Sequence, residues 1–510
     1  MQYVIMLLPK KYLEEKTKMA KKEKSVKKLG ALRHIGYGCG DAGGVLMLMM
    51  ISYLEYFSRN ILGISSYVYA AILLVWNVWD AINDPLVGTF MDVRFAKAKN
   101  KKNKFRPWIL RSIPVMAIGM GSLFLLPNLT IGNRLLCIVV LFVSKIIFEL
   151  GYTLMNIGMG SLLGVMAVND KERASLSSAR GFGSTVGGMI GAMALPQVLK
   201  NLGGADSAAG YIATSFVAVA LGCVLVFFHF ALTVERNTAA QNAVKTDEEK
   251  AAEKVKFTDI LNVFKVNRPY VALCVHSICI CFVQGIAQGA SMYMYNDILG
   301  DVGLMTFASV VSMPVMFGGM IVAPILAKKH DLVKIIRSMI LIGCIMLGTC
   351  FVYTMLVPVM NPWIYLIWSG VGTGLVTLSV QLQWGLVGES IDYNEYLTGK
   401  RSEGSIYGTF SLTRRIGQTL SASLAVLMLE WFHYIPHGDK EIVVQPDSAV
   451  FGIKLMVILI PAVIGMGSWF AFRFIWNINA EKRAAMAEWK AKRANGGAPE
   501  GAVAPEAYTK

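Results

Sequence analysis

Charge is scarce in this sequence. Asp, Glu, Lys and Arg make up 16% of its 510 residues, against about 25% in a soluble domain. Histidine is rarer still, with six residues too dispersed to form a metal cluster. The eight cysteines show neither zinc-ligand spacing nor a disulfide framework. All lie in or beside apolar segments and read as small packing residues. No phosphate-cradling loop, nucleophile triad or His/Cys metal cluster is present. Neither an enzyme nor a catalytic cofactor is expected. The net charge of +16 comes without any nucleic-acid-binding motif, so no nucleic-acid partner is expected either. A signal peptide is also missing. Residues 1–33 hold ten Lys/Arg and no apolar run leading to a cleavage site, so they are expected to be a basic cytoplasmic tail.

Apolar residues are abundant, at 55% of the chain. They recur in stretches of roughly 20 residues, the length that crosses about 30 Å of hydrocarbon. Twelve spans are expected, near 35–58, 65–91, 107–127, 135–165, 180–203, 208–232, 268–296, 302–327, 334–357, 362–388, 404–433 and 449–476. The charged stretch 233–266 divides them six and six. The expected fold is an all-α membrane protein with an N-terminal bundle over 34–232 and a C-terminal bundle over 267–477. The tail 478–510 is charged, then rich in Gly, Ala and Pro, and is expected to be disordered. Segment 92–106 carries seven Lys/Arg, and 170–180, 328–337 and 392–401 also hold Lys or Arg. The alternate loops are short and nearly uncharged. This places both termini on the cytoplasmic side of the plasma membrane.

An ionisable side chain at the bilayer centre costs at least about 2.5–3.5 kcal/mol. The second span nevertheless holds Trp79-Asp80-Ala81-Ile82-Asn83-Asp84-Pro85. Asp80 and Asp84 are four apart and share one helix face. Two carboxylates so placed either take up a proton or stay ionised around a bound cation. A hard metal cation prefers oxygen ligands, and the Asn83 amide adds one. The bland alternative is a structural ion pair with another helix, which leaves the second carboxylate unexplained. In the fourth span Lys145, Glu149, Thr153 and Asn156 also share a face. Lys145 and Glu149 read either as a self-neutralising pair or as ligands for the hydroxyls and an anionic group of a solute.

WDAINDP resembles the cation-site motif of the glycoside–pentoside–hexuronide:cation symporters, a family of the major facilitator superfamily. The resemblance runs from about 34 to 477. Gly36-Tyr37-Gly38-Cys39-Gly40-Asp41, Phe105-Arg106-Pro107-Trp108, Asn267-Arg268-Pro269 and Asp392-Tyr393-Asn394-Glu395-Tyr396 followed by Thr398 to Gly404 match its motifs in order. Gly88 and Asp92 resemble the superfamily's signature in the loop after the second helix. The resemblance implies cation binding by Asp80, Asn83, Asp84 and Thr153, with Na+, Li+ or H+ carried together with a sugar through the lipid bilayer. It implies a sugar site that departs from the family pattern, since the family's two sugar-binding acids fall at Val45 and Asn156 and its stacking tryptophan at Gly160. Glu149, Lys145, Arg180, Gln381, Trp384 and Arg415 are the candidates for compensation. It also implies inner-gate ion pairs among Asp41, Glu389, Asp392, Arg401 and Glu403. A lipid or lysolipid carrier of the same fold and a non-transporting sugar sensor are the alternatives.

Overall fold

A computed structural model describes residues 29–96, 103–167, 170–236, 263–326, 329–357, 359–399, 403–437 and 443–494. The described side chains do not include those of Asp84, Trp384 and Glu403, and Arg401 falls outside the described residues altogether. Most of the 233–266 stretch and of the 1–33 tail also lies outside them.

The first half contributes α1 (Ala31–Ile61), α2 (Ser66–Ala96), α3 (Arg106–Leu129), α4 (Arg134–Met166), α5 (Asp170–Asn201) and α6 (Ala208–Leu232). The second contributes α7 (Arg268–Ile298), α8 (Leu304–Leu326), α9 (Leu332–Leu356), α10 (Pro362–Thr398), α11 (Glu403–Trp431) and α12 (Asp447–Ile475). A last helix, α13 (Ala480–Ala494), follows. Polar caps set many of the starts. Asn133, Ser207, Asn267, Asp331 and Asn361 each accept a backbone N–H of the helix they precede, as side chains do at N-caps.

Among the described residues, ten helical stretches are long and apolar enough to cross a membrane. The two remaining long helices, α2 and α11, are long enough but carry the polar residues Asp80, Asn83, Arg414 and Arg415. They pack against each other.

The helix pairing repeats. In the first half α1 packs on α5 and α6, α3 on α4 and α6, and α2 on α4. In the second, α7 packs on α11 and α12, α9 on α10 and α12, and α8 on α10. Adding six to each number of the first set gives the second. The halves meet through α2 with α11 and α5 with α8, a pair of contacts that also exchange under this rule. The sequence carries a trace of it. Tyr56-Phe57-Ser58-Arg59-Asn60-Ile61-Leu62-Gly63 ends α1, and Tyr293-Met294-Tyr295-Asn296-Asp297-Ile298-Leu299-Gly300 ends α7. Each closes in one π-helical turn. A glycine with positive φ follows each, 64° at Gly63 and 73° at Gly300, a conformation that glycine adopts without strain.

Four expectations are corrected. α5 begins ten residues before 180, so Arg180 lies inside the helix rather than at its start. α10 runs through Thr398, so Asp392 to Tyr396 are helical and not a loop. α2 runs to Ala96, so Gly88 and Asp92 also lie on a helix. Residues 480–494 of the tail are helical rather than disordered. Ala, Glu, Lys and Arg dominate that segment, and all are strong helix formers. Its Trp489 packs edge-on against Tyr396 of α10 at 6.0 Å, which supplies the apolar contact that a short helix needs.

Candidate functional site

α1 and α5 approach closely because glycines line the contact. A Cβ at Gly183 would strike the Gly38 backbone, and one at Gly187 the Ala42 backbone. Small residues of this kind let membrane helices pack backbone to backbone. The approach brings Asp41 of α1 to Arg180 of α5, with Nε donating to Oδ2 at 3.0 Å. Arg180 also donates to Asn156 Oδ1 of α4 at 2.8 Å. Tyr37 ties the same helices by donating to the Met159 carbonyl at 2.8 Å. Arg180 remains one-third exposed, so this three-helix junction presents part of its positive charge to open space.

α2 and α4 run side by side in register. Asn83 Nδ2 donates to Thr153 Oγ1 at 2.9 Å, and both residues are buried. Seven residues back on α2, the Trp76 ring lies 5.6 Å from Lys145 Nζ. Asp80 and Glu149 therefore fall at the same level between these two contacts. Lys145 bonds to Glu149 one turn away, and both are largely buried. Asp80 faces the other way as well, since its Oδ2 lies 3.8 Å from Arg415 Nη1 of α11. Asp80 and Arg415 are 42% and 47% exposed. This carboxylate and cation from opposite halves thus meet at a solvent-accessible seam. Asp80, Asn83 and Thr153 each carry a side-chain oxygen, the ligand type that a hard cation prefers.

Gln381 is exposed on α10. Glu389 pairs with Arg483 of α13 within its own half, and Asp41 pairs with Arg180 within the other. Among the described side chains the ion pairs of both stay within one half; Arg401 and Glu403 fall outside them. Asp392 sits half-buried near the end of α10.

A second polar cluster lies at the opposite end of the bundle from the tails. Tyr56 of α1 bonds to Asp297 of α7 at 2.8 Å and to Asp206 of the α5–α6 loop at 3.0 Å. Tyr434, after α11, donates to Asp297 Oδ2 at 2.6 Å. Glu430 of α11 accepts from Ser66 at 2.8 Å and from Arg59 at 3.2 Å. Lys200 pairs with Asp301 at 2.6 Å, and Thr306 of α8 donates to the Met193 carbonyl of α5 at 2.7 Å. Burial first, and then the Asp297 carboxylate, hold the Tyr434 hydroxyl well above the ordinary phenol range, so it stays a donor. Tyr56–Asp206 and Tyr434–Asp297 lie within one half each, while the other bonds, with Tyr434 to Asn60 Oδ1 at 3.2 Å, cross between the halves and close this end.

At the tail end the observed bonds stay within one half. Arg236 pairs with Glu172, and Arg483 with Asp331 and Glu389. Sequence reading passed over the far-end cluster because each of its charges sits at a helix end, where a charge needs no explanation. The repeated octapeptide ending α1 and α7 was the available signal.

Residues 36–480 match the family described as MFS/sugar transport protein. The chain belongs to this family. An uncharacterized symporter of Bacillus subtilis, YjmB, is 28% identical over 92% of this chain and 98% of its own length. The glucuronide carrier protein homolog of Escherichia coli is 27% identical over 87% and 91%. The inward-open xylose transporter XylE of Escherichia coli superposes with a TM-score of 0.57 at 13% identity, over 90% of this chain and 99% of that one. The helix pairing is thus that of the major facilitator fold, and the chain is a multi-pass membrane transporter rather than an enzyme.

Proposed function

We propose that the chain is a cation-coupled symporter of a glycoside, pentoside or hexuronide. It works by alternating access in the plasma membrane, with both tails in the cytoplasm and twelve spans that include α2 and α11. The observation that carries this reading is the Asn83–Thr153 bond beside Asp80, with Arg415 of the other half 3.8 Å from the same carboxylate. Asp80, Asn83, Asp84 and Thr153 hold Na+, Li+ or H+. Loading neutralises Asp80 and Asp84 and weakens their hold on Arg415. That guanidinium then turns to the solute, together with Arg180, Asn156 and the α10 residues Gln381 and Trp384. Coupling between two sites is reciprocal, so solute tightens cation binding by the same factor.

The far-end bonds from Tyr56 to Asp297 and from Tyr434 to Asn60 support a state closed outward and facing inward. Outward opening breaks them. The inner end then closes through residues such as Asp41, Glu389, Asp392, Arg401 and Glu403. Carrier relatives such as the glucuronide carrier homolog make a sugar acid a natural first probe, and Arg180 and Arg415 supply the charge to receive one.

Proteoliposomes test this with labelled glucuronate, glucose and xylose, taken up with and without an inward sodium or proton gradient. Accumulation of at least one sugar above equilibrium under a gradient is the expected result. Equilibration without gradient dependence would remove the coupling.

A further inference from the structure

Just inside the closed far end lies a cavity that no residue considered so far explains. It measures about 440 Å³ and is bounded by α7, α9, α10 and α12. That volume lies within the roughly 300–1,000 Å³ typical of small-molecule pockets. Its polar wall is made of Gln284 and Gln288 of α7 and Thr373 and Thr377 of α10. Each pair is spaced i, i+4, so each presents its two side chains on one face, a turn apart. Val283, Leu347, Val376, Val457 and Pro461 form the apolar remainder.

The cavity has a neighbour. Gln288 and Ser291 also line a smaller space of about 120 Å³, whose other walls include Met49 and Tyr53 of α1 and Gly191 of α5. The two spaces therefore lie on either side of Gln288 and Ser291, the second of them where the halves face each other. Gly191 lies eleven residues beyond Arg180 on α5, which places the chamber about 16 Å further along the helix axis. It is separate from the Arg180–Asn156 junction.

Two properties define what belongs there. The lining holds no charged side chain among the described residues. Among the described residues, the side chains of Gln284, Gln288, Thr373 and Thr377 make no hydrogen bond to protein. Gln288 and Thr373 are exposed and Gln284 and Thr377 half-buried, so these four polar groups face the open chamber and are available to a ligand. A glutamine amide offers two donors and an acceptor, and a threonine hydroxyl offers both roles. The hydroxyls of a polyol need this mixed set. An anion or cation would find no counter-charge in the chamber.

We infer that Gln284, Gln288, Thr373 and Thr377 form a binding site for the uncharged, polyhydroxylated part of the solute, in the second half and directly beneath the outer closure. The inference rests on the sugar reading only for the choice of probes. It divides the labour of recognition. The first half supplies charge through Arg180 and the cation site, and the second supplies neutral hydrogen bonding. The apolar wall accepts the C–H face of a sugar ring, while the amides take its hydroxyl edge.

Equilibrium binding to the detergent-solubilised full chain tests this, with no gradient imposed and with methyl glucoside, methyl xyloside and glucuronate as probes. At least one uncharged glycoside is expected to bind. The double variant Gln284→Ala with Gln288→Ala is expected to weaken that binding tenfold or more, with the thermal unfolding midpoint kept. Where the double variant does not fold, Thr377→Val, which keeps the shape and removes the hydroxyl, is expected to weaken it at least threefold. Unchanged affinity in these variants, or no binding of either uncharged glycoside to the wild-type chain, overturns the site. Failure of the symport reading looks different: the glycoside binds and the variants weaken it, yet no gradient drives accumulation.

Discussion

Asn83 Nδ2 donates to Thr153 Oγ1 at 2.9 Å, and this bond joins α2 to α4 at the level where Asp80 meets Arg415. It fixes the orientation of the Asn83 amide. Thr153→Val keeps the volume and removes the partner. The apparent affinity for the driving cation is expected to fall tenfold or more, while maximal uptake at saturating cation changes less than threefold. Uptake titrated against sodium or pH reads this out.

Lys145 and Glu149 form a buried pair one turn apart on α4. Removing one partner of such a pair leaves an uncompensated charge and costs about 3–5 kcal/mol, whereas replacing both is often near neutral. Glu149→Gln alone is therefore expected to lower the thermal midpoint markedly, and Glu149→Gln with Lys145→Met to recover most of the loss. If Glu149 instead serves the solute, the double variant recovers stability but not transport affinity. Thermal unfolding and uptake measured on the same three proteins separate the two roles.

At the far end Tyr56 of the first half donates to Asp297 of the second at 2.8 Å, and hydrogen bonds to a charged group contribute about 1.5–3 kcal/mol. Tyr56→Phe is expected to shift the equilibrium toward outward opening by tenfold or more. Amide hydrogen exchange in the far-end turns of α1 and α7 should accelerate accordingly. Unchanged exchange would show that the cluster does not hold the closure.

The tail helix docks through Arg483, which donates to Asp331 at 2.8 Å and 3.0 Å and also pairs with Glu389. Burial pushes the Asp331 carboxyl upward, but the Arg483 hydrogen bonds outweigh it, and the group lies below its ordinary value. A depressed carboxylate stabilises the folded state above its unfolded value, about 3.9. The contribution fades as pH falls through the lower folded value. Docking of α13 is thus expected to be insensitive to pH between about 5 and 8 and to weaken only in strong acid. Asp331→Asn should cost about 1–2 kcal/mol of docking at neutral pH. Limited proteolysis near residue 479 measures it.

The proposed cation site was legible in the sequence because Asp80 and Asn83 interrupt an apolar run, where each polar side chain needs a reason. The helix order was legible for the same reason, since length and apolarity are read directly. The far-end cluster was not. Arg59, Asp206, Asp297 and Glu430 are far apart in sequence and sit at helix ends, and only the packing of the halves makes them neighbours. The α13 helix was misread because its Ala, Lys and Glu composition also suits a disordered tail, and Trp489 finds Tyr396 only in three dimensions. Gln284 and Gln288 were passed over because single uncharged polar residues are common in membrane helices. Their significance comes from the opposing threonines of α10.

The most direct measurement is gradient-driven sugar uptake by proteoliposomes carrying Asp80→Cys or Asp84→Cys beside the wild-type chain. Wild-type uptake should exceed equilibrium under a sodium or proton gradient, and each variant should lose that excess while still exchanging sugar down its own gradient. Full gradient-driven accumulation by both variants would contradict cation capture on α2.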